Sequence, residues 1–221
     1  MLTRILEPEV MDSDQDAREY DAMDHAAVNA QFVLDLLKAL ADLPFLHVLD
    51  LGTGTAQIPI EICRRVPQIH VTAVDAAESM LGLAAENVAA ADFDDRIEPV
   101  LADAKALPFK PARFPAVISN SILHHIAEPQ QVIAEALRVA EPGGLQFHRD
   151  LYRPDDEAQL NRIVTTYAGA ANEYQQKLFG DSLRAALTVD EVRDLVSTFG
   201  FARDTVQMTS DRHWTWVAKT T

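Results

Sequence analysis

The sequence of 221 residues has one cysteine, Cys63, only eight glycines, and 19 Lys and Arg against 34 Asp and Glu, giving a formal charge of −15 at pH 7. A single cysteine permits neither an intrachain disulfide nor a thiolate metal cluster, which fits a reducing compartment. The deficit of positive charge argues against direct contact with duplex nucleic acid or an anionic membrane surface, because their phosphates would be repelled. No apolar run reaches the roughly 18 residues that a membrane span needs. The opening Met1-Leu2-Thr3-Arg4-Ile5-Leu6 is interrupted by Glu7 and Pro8 too early for a secretory leader. Repeats, low-complexity tracts and Gly/Ser linkers are missing as well. With 48% hydrophobic and 24% charged residues the composition is that of a globular chain. A cytoplasmic protein with a single domain over residues 1–221 is the expectation.

What is present is an alternation of short apolar runs and amphipathic stretches. Val28, Phe32, Val33, Leu36, Leu37 and Leu40 recur every three or four residues, predicting a helix over 26–42 that Pro44 ends. His47-Val48-Leu49-Asp50-Leu51 reads as a buried strand. Helices then follow over 56–66, 77–91 and 130–140, and strands over 69–74, 96–101 and 115–119. A Pro142-Gly143-Gly144 turn leads into a strand over 145–150. Strands separated by helices of this length imply right-handed crossovers and a doubly wound α/β fold around a mostly parallel sheet. Residues 155–187 look helical with a break near Gly180. Thr188 and Glu191 form a capping-box pattern before a helix that Gly200 closes. Stretches 201–208 and 213–219 read as an antiparallel hairpin, which brings the sheet to seven strands.

The densest cue is Val48-Leu49-Asp50-Leu51-Gly52-Thr53-Gly54-Thr55-Ala56, a buried strand running into a glycine turn and then a helix. Glycine lets a ligand lie against the backbone and lets the chain take positive φ, and a helix start offers unpaired N–H groups. A plain strand-to-helix turn without a ligand is the alternative. A dinucleotide fingerprint would place its third glycine at position 57, where Gln57 stands, and this disfavours an NAD-dependent oxidoreductase. No Lys-Ser/Thr pair follows to grip a phosphate.

The same segment resembles motif I of the class I S-adenosylmethionine-dependent methyltransferases, D/E-x-G-x-G-x-G, with Ala56 at the usual last glycine. The resemblance continues in order through Val71-Thr72-Ala73-Val74-Asp75 with Ser79-Met80-Leu81. It runs on through Leu101-Ala102-Asp103-Ala104 with Leu107-Pro108-Phe109, then Phe114-Pro115-Ala116-Val117-Ile118-Ser119-Asn120 with Leu123-His124-His125-Ile126. It ends at Leu137-Arg138-Val139-Ala140-Glu141-Pro142-Gly143-Gly144. These blocks cover roughly 47–150 and are most similar to the small-molecule branch that includes ubiquinone and menaquinone methyltransferases. Pro115 stands where the family commonly has aspartate.

The resemblance implies a Rossmann-like fold, S-adenosylmethionine as cofactor, and methyl transfer to a small-molecule acceptor with release of S-adenosylhomocysteine. A non-catalytic S-adenosylmethionine sensor or partner subunit is the rival from another class. The implied segments are an N-terminal lid (1–25), a cofactor-binding core (26–150), a helical acceptor lid (151–187), and a C-terminal helix and hairpin (188–221). Asp75, with Ala76 beside it, would accept both ribose hydroxyls, or else merely cap a helix. Asp103 would accept from the adenine amino group while the Ala104 N–H donates to the ring; a turn cap is the alternative. Gly52 and Gly54 would let the methionine portion approach the backbone. Asp50 would fix the loop or reach the amino group through water. Asn120 and Ser121 would meet the amino group and the reacting methyl. Tyr20 resembles the tyrosine that covers the methionine moiety, and Met80 would pack beside adenine or serve as ordinary core.

His124 is the first candidate for a base that takes the acceptor's proton, and His125 the second; orienting the loop or stacking on the cofactor is the alternative role for His124. Neighbouring residues are expected to point apart, so one of them at most should face the site, and for the same reason no metal ion is expected. Asp150, Tyr152 and Arg153 would line the acceptor pocket; surface salt bridging is the simpler reading of Arg149 and Arg153. Asp12-x-Asp14-x-Asp16 begins like a calcium loop but has Ala17 at the required glycine and Met23 at the required Glu. Trp214 and Trp216 share one strand face and read as packing. Leu178, Phe179 and Leu183 read as helix core. Extra helical segments such as 151–187 often add homodimer contacts.

Overall fold

The structure, a computed structural model, describes residues 2–7, 12–23, 25–40 and 47–221. The elements are α1 (Asp14–Asp21), α2 (Ala26–Leu40), β1 (His47–Leu51), α3 (Gln57–Arg65), β2 (His70–Asp75), α4 (Glu78–Ala90), β3 (Ile97–Leu101) and β4 (Phe114–Asn120). They continue with α5 (Pro129–Val139), β5 (Ala140–Leu151), α6 (Glu157–Ala168), α7 (Glu173–Ala185), α8 (Val189–Thr198), β6 (Val206–Met208) and β7 (His213–Lys219). Seven strands join one sheet in the order β3-β2-β1-β4-β5-β7-β6. β1 pairs in parallel with β2 and β4, and β2 with β3, whereas β6 and β7 are antiparallel. The doubly wound α/β fold read from the pattern is the one observed. The predicted end of the second helix beyond Leu40, including Pro44, lies outside the described residues.

The chain forms two compact units. The larger comprises the described parts of 10–120 with 131–148 and 217–221. Its core gathers the inward positions of α2, α3 and the parallel strands, among them Phe32, Leu36, Ile62, Val71, Ile118 and Phe147, with Phe32 meeting Phe147 edge to face at 5.1 Å. The smaller comprises the described parts of 1–9 with 121–130 and 149–216. Leu151, Leu160, Ile163, Leu183 and Ala186 pack together there, and Trp214 and Trp216 are fully buried on β7.

Four elements differ from the sequence reading. The acidic opening contains a helix, α1, which has almost no apolar period to announce it; Ala17 is fully buried, against Ala77 and Met80. Pro142-Gly143-Gly144 lies inside β5 rather than forming a turn before it. The extended path is held by Gly143 N–H donating to Thr220 O and Thr220 N–H donating to Gly144 O, both at 2.9 Å. Residues 203–205 form a 3₁₀ turn, leaving β6 only three residues. The break in the long helical stretch falls at Gly169–Asn172, not at Gly180. Asn172 and Gln175 form a capping box that starts α7, while Gly180 lies inside α7, facing Leu160 and Val164 of α6.

A Cβ at Gly180 would meet its nearest neighbours at 3.6–3.9 Å, ordinary contact. Gly180→Ala is therefore expected to stabilise the protein by about 0.5–1 kcal/mol through helix propensity. Denaturant unfolding checks this, and a loss of stability would contradict the packing described.

Candidate functional site

Parallel register places the key residues in one row. Leu51 pairs with Val74 and Ser119, and Asp75 with Leu101. One step further along each strand, Asn120, Gly52, Asp75 and Ala102 line the carboxyl ends of β4, β1, β2 and β3, where ligands of open α/β sheets bind. The turn after β1 uses positive φ at Gly52 (68°), Gly54 (56°) and Ala56 (62°), a conformation for which glycine is suited.

Asp75 is half-buried and turned toward this turn. Its Oδ2 accepts the Gly54 N–H at 2.8 Å and its Oδ1 the Ala77 N–H at 3.0 Å. It thus clamps the glycine turn and the turn that leads into α4 at once, with the Ala76 N–H adding to the hold, and part of the acceptor capacity of its two oxygens remains. Burial pushes its pKa up, against the lowering by these N–H groups. Asp50 is buried, accepts the Thr53 hydroxyl at 2.8 Å, and burial pushes its pKa up to about 7 despite that bond. A carboxyl whose folded pKa is raised above its unfolded value of 3.8 loses stability as pH climbs between the two. Asp50→Asn removes the titration, so the melting-temperature difference between variant and parent is expected to grow from pH 4 to pH 7 and then level off. A difference independent of pH would contradict this environment for Asp50.

Tyr20 of α1 lies over the same turn; a Cβ on Gly54 would be 3.5 Å from its ring. Burial, then Asp75 and Asp50, push its phenol up to about 12, so it stays protonated. Sequence reasoning missed what ties α1 down. Asn87 Nδ2 donates to Asp21 Oδ1 at 2.9 Å and to Thr55 O at 3.1 Å, and Gln57 Nε2 donates to Asp21 Oδ1 at 3.2 Å. Gln57, at the position where a dinucleotide fingerprint needs glycine, is thus a strap for α1.

Asn120 has a buried side-chain oxygen, Oδ1, with no hydrogen-bond partner among the described residues. Such an acceptor normally has one, so the site lacks a donor that a ligand can bring. Ser121 follows with φ 60°. Asp103 is the more ordinary group. Its Oδ1 takes the Lys105 N–H at 2.8 Å and the Lys105 ammonium at 3.1 Å, capping its turn. Ala104 is buried, Ala76 exposed, and Met80 packs with Ala17, Ala77 and Tyr20.

The second group belongs to the smaller unit. His124 Nδ1 is 2.6 Å from Asp150 Oδ1, both side chains being nearly fully buried. The His124 N–H donates to Asp150 Oδ2 at 3.2 Å. Burial opposes charge on His124, but Asp150 outweighs it and lifts the imidazole pKa; the same pairing holds Asp150 below the usual carboxylate value although burial works the other way. The expectation that His124 and His125 point apart is overturned: their rings stack with centroids 4.1 Å apart. They sit in a turn rather than a strand, and the alternation of successive side chains holds only for strands. Arg4 ties the segment down, donating to the carbonyls of Ala185, Leu123, His124 and Ile126 at 2.7–3.4 Å. Arg149 and Arg153 are buried, not surface groups. Arg149 Nε donates to Thr215 Oγ1, and Arg153 to Ala186 O and Glu191. Tyr152 pairs with Asp155.

Residues 48–144 match the family described as methyltransferase domain. The chain is 34% identical over 168 residues to the ubiquinone/menaquinone biosynthesis C-methyltransferase of Roseobacter denitrificans, covering 70% of this chain and 65% of that one. By these matches the chain is similar to S-adenosylmethionine-dependent methyltransferases. The corresponding enzyme of Geobacter sulfurreducens is 29% identical over 168 residues, 72% of this chain and 65% of its own. The chain thus spans slightly under two thirds of the length of these two methyltransferases. In structure, the plantazolicin methyltransferase in complex with a monoazolic substrate analogue and S-adenosylhomocysteine aligns with a TM-score of 0.73 at 13% identity, over 94% of this chain and 90% of that one. Among the described residues no helix is long and apolar enough to cross a membrane.

Proposed function

We propose that this protein moves the methyl group of S-adenosylmethionine onto a small-molecule acceptor and releases S-adenosylhomocysteine. The observation that carries the reading is the row at the strand ends, where the unpartnered Asn120 Oδ1, Gly52 and Asp75 each follow directly on the paired residues Ser119, Leu51 and Val74. Bound S-adenosylmethionine supplies an electrophilic methyl on a sulfonium sulfur. Asp75 would accept the ribose hydroxyls on its remaining acceptor capacity, and Asn120 Oδ1 the α-amino group, with Asp50 supporting that charge through the loop. Tyr20 would cover the methionine portion. Asp103, Ala104 and Met80 would receive adenine.

Methyl transfer needs in-line alignment above all, and positioning supplies most of such a rate gain. On the acceptor side, Asp150 holds Nδ1 of His124, so Nε2 is the nitrogen that would take the acceptor's proton. Helices α6 and α7 would select the acceptor, and exchanging them between relatives is expected to change acceptor choice while cofactor binding persists. The relatives named for quinone C-methylation make phenols and hydroquinones the first acceptors to try. The test is release of S-adenosylhomocysteine by purified protein across a panel of phenols, amines and thiols. Acceptor-dependent release supports the reading. Tight cofactor binding with no acceptor methylated would leave the sensor function instead.

A further inference from the structure

One ligand atom from each of Glu7, His124 and His125 lies within 4.8 Å of the others. We propose that these three side chains form a binding site for a divalent transition-metal ion of the zinc class, which shares His124 with the proton-transfer role assigned above.

The geometry carries this in three parts. His124 and His125 are drawn together by the turn, with ring centroids 4.1 Å apart and planes tilted by 37°. Glu7 enters from the N-terminal segment, its Oε2 4.0 Å from His125 Nδ1, while its buried Oε1 has no hydrogen-bond partner among the described residues. Asp150 already engages His124 Nδ1 at 2.6 Å, which leaves Nε2 as the ligand nitrogen. A carboxylate behind a ligating imidazole is the usual outer support of a zinc-binding histidine: it fixes the ring and raises its basicity. Ligand atoms around tetrahedral zinc stand about 3.3 Å apart, given bonds of about 2.0–2.1 Å. Closing the triangle therefore asks for side-chain shifts of about 1 Å. Two imidazoles and one carboxylate select Zn²⁺, Co²⁺, Ni²⁺ or Cu²⁺ over Mg²⁺ and Ca²⁺, which prefer all-oxygen sites. Three protein ligands leave a fourth position for water. Arg4 does not compete with the ion for the Glu7 carboxylate by any hydrogen bond among those described; its guanidinium is engaged by carbonyl oxygens.

The ion would hold the nitrogen assigned above to proton transfer, so occupancy is expected to slow turnover. The site itself is tested by binding alone, so its failure and that of the methyl-transfer reading are separable. Chelator-stripped protein titrated with Co²⁺ is expected to develop visible ligand-field absorption at one equivalent, and Zn²⁺ is expected to displace it. Zinc-edge X-ray absorption of the wild-type protein should show two imidazole nitrogens at the metal. Glu7→Gln and His125→Gln are each expected to weaken binding roughly 10-fold or more, with melting in the presence of S-adenosylhomocysteine confirming that the variants are folded. A wild-type protein that gives no cobalt spectrum, a metal shell without imidazole, or affinity unchanged in both variants would overturn the proposal.

Discussion

Asp75→Ala is expected to abolish the thermal shift that S-adenosylhomocysteine produces in the parent protein. A ligand at a hundredfold its dissociation constant adds about 2.7 kcal/mol, which for a chain of this size raises the melting temperature by roughly 5–10 °C. Asp75 is the one carboxylate in the strand-end row whose oxygens already clamp the Gly54 and Ala77 N–H groups, so its loss removes both the ribose acceptor and the clamp on the glycine turn. The variant itself should melt lower, since two N–H groups lose their partner at about 1–3 kcal/mol for a buried donor. Asp75→Asn separates the two effects. It keeps one acceptor oxygen for the turn but not the paired acceptors for a diol, so it is expected to fold more nearly like the parent and still bind the ligand poorly. An undiminished ligand shift in both variants would remove Asp75 from the cofactor site.

The second large effect concerns the buried His124–Asp150 pair. His124→Ala is expected to lower turnover by about 10²–10⁴-fold, the range for a lost general base, while the S-adenosylhomocysteine shift persists. Full activity would take His124 off the reacting side. Breaking the pair should also cost about 3–5 kcal/mol, because the surviving charge stays buried without its partner. The pH dependence follows from the two directions. His124 is raised from 6.5, so its contribution is complete below pH 6.5 and fades as pH rises through its folded value. Asp150 is lowered from 3.8, so its contribution is present above that pH and fades as pH falls through its folded value. The melting deficit of Asp150→Asn should therefore be greatest between about pH 4 and 6.5 and shrink in alkali. A deficit that grows toward pH 9 would contradict the charged pair.

Much of this was legible in the residues because each strand of the larger unit is short, branched and followed by its own turn or helix. The order of elements from β1 to β4 needed nothing beyond period and composition. The capping box at Thr188 was equally plain, since two side chains three apart specify it. Gly180 misled because glycine often ends a helix, yet a helix interior also tolerates it at a cost of about 1 kcal/mol. Here Gly169 and the Asn172 cap do the ending. The helix α1 was hidden because acidic residues carry no apolar stripe, and only a tertiary contact through Ala17 betrays it. The candidate site divides in the same way. Asp50, Gly52, Gly54, Asp75 and Asn120 lie in or just after strands that the pattern locates, and the family resemblance named them. Glu7 beside His125 and Asp150 behind His124 could not be read this way, because each pair joins segments far apart in the chain and no local spacing encodes them. Arg153 looked like a surface charge for the same reason; its partner Glu191 lies 38 positions on.

The most direct measurement is a calorimetric titration of the purified protein with S-adenosylhomocysteine and, separately, with NAD⁺. The strand-end row of Asp75, Gly52 and Asn120 predicts saturable binding of S-adenosylhomocysteine at one site per chain and no heat from the dinucleotide. Saturation by NAD⁺ with S-adenosylhomocysteine inert would contradict it.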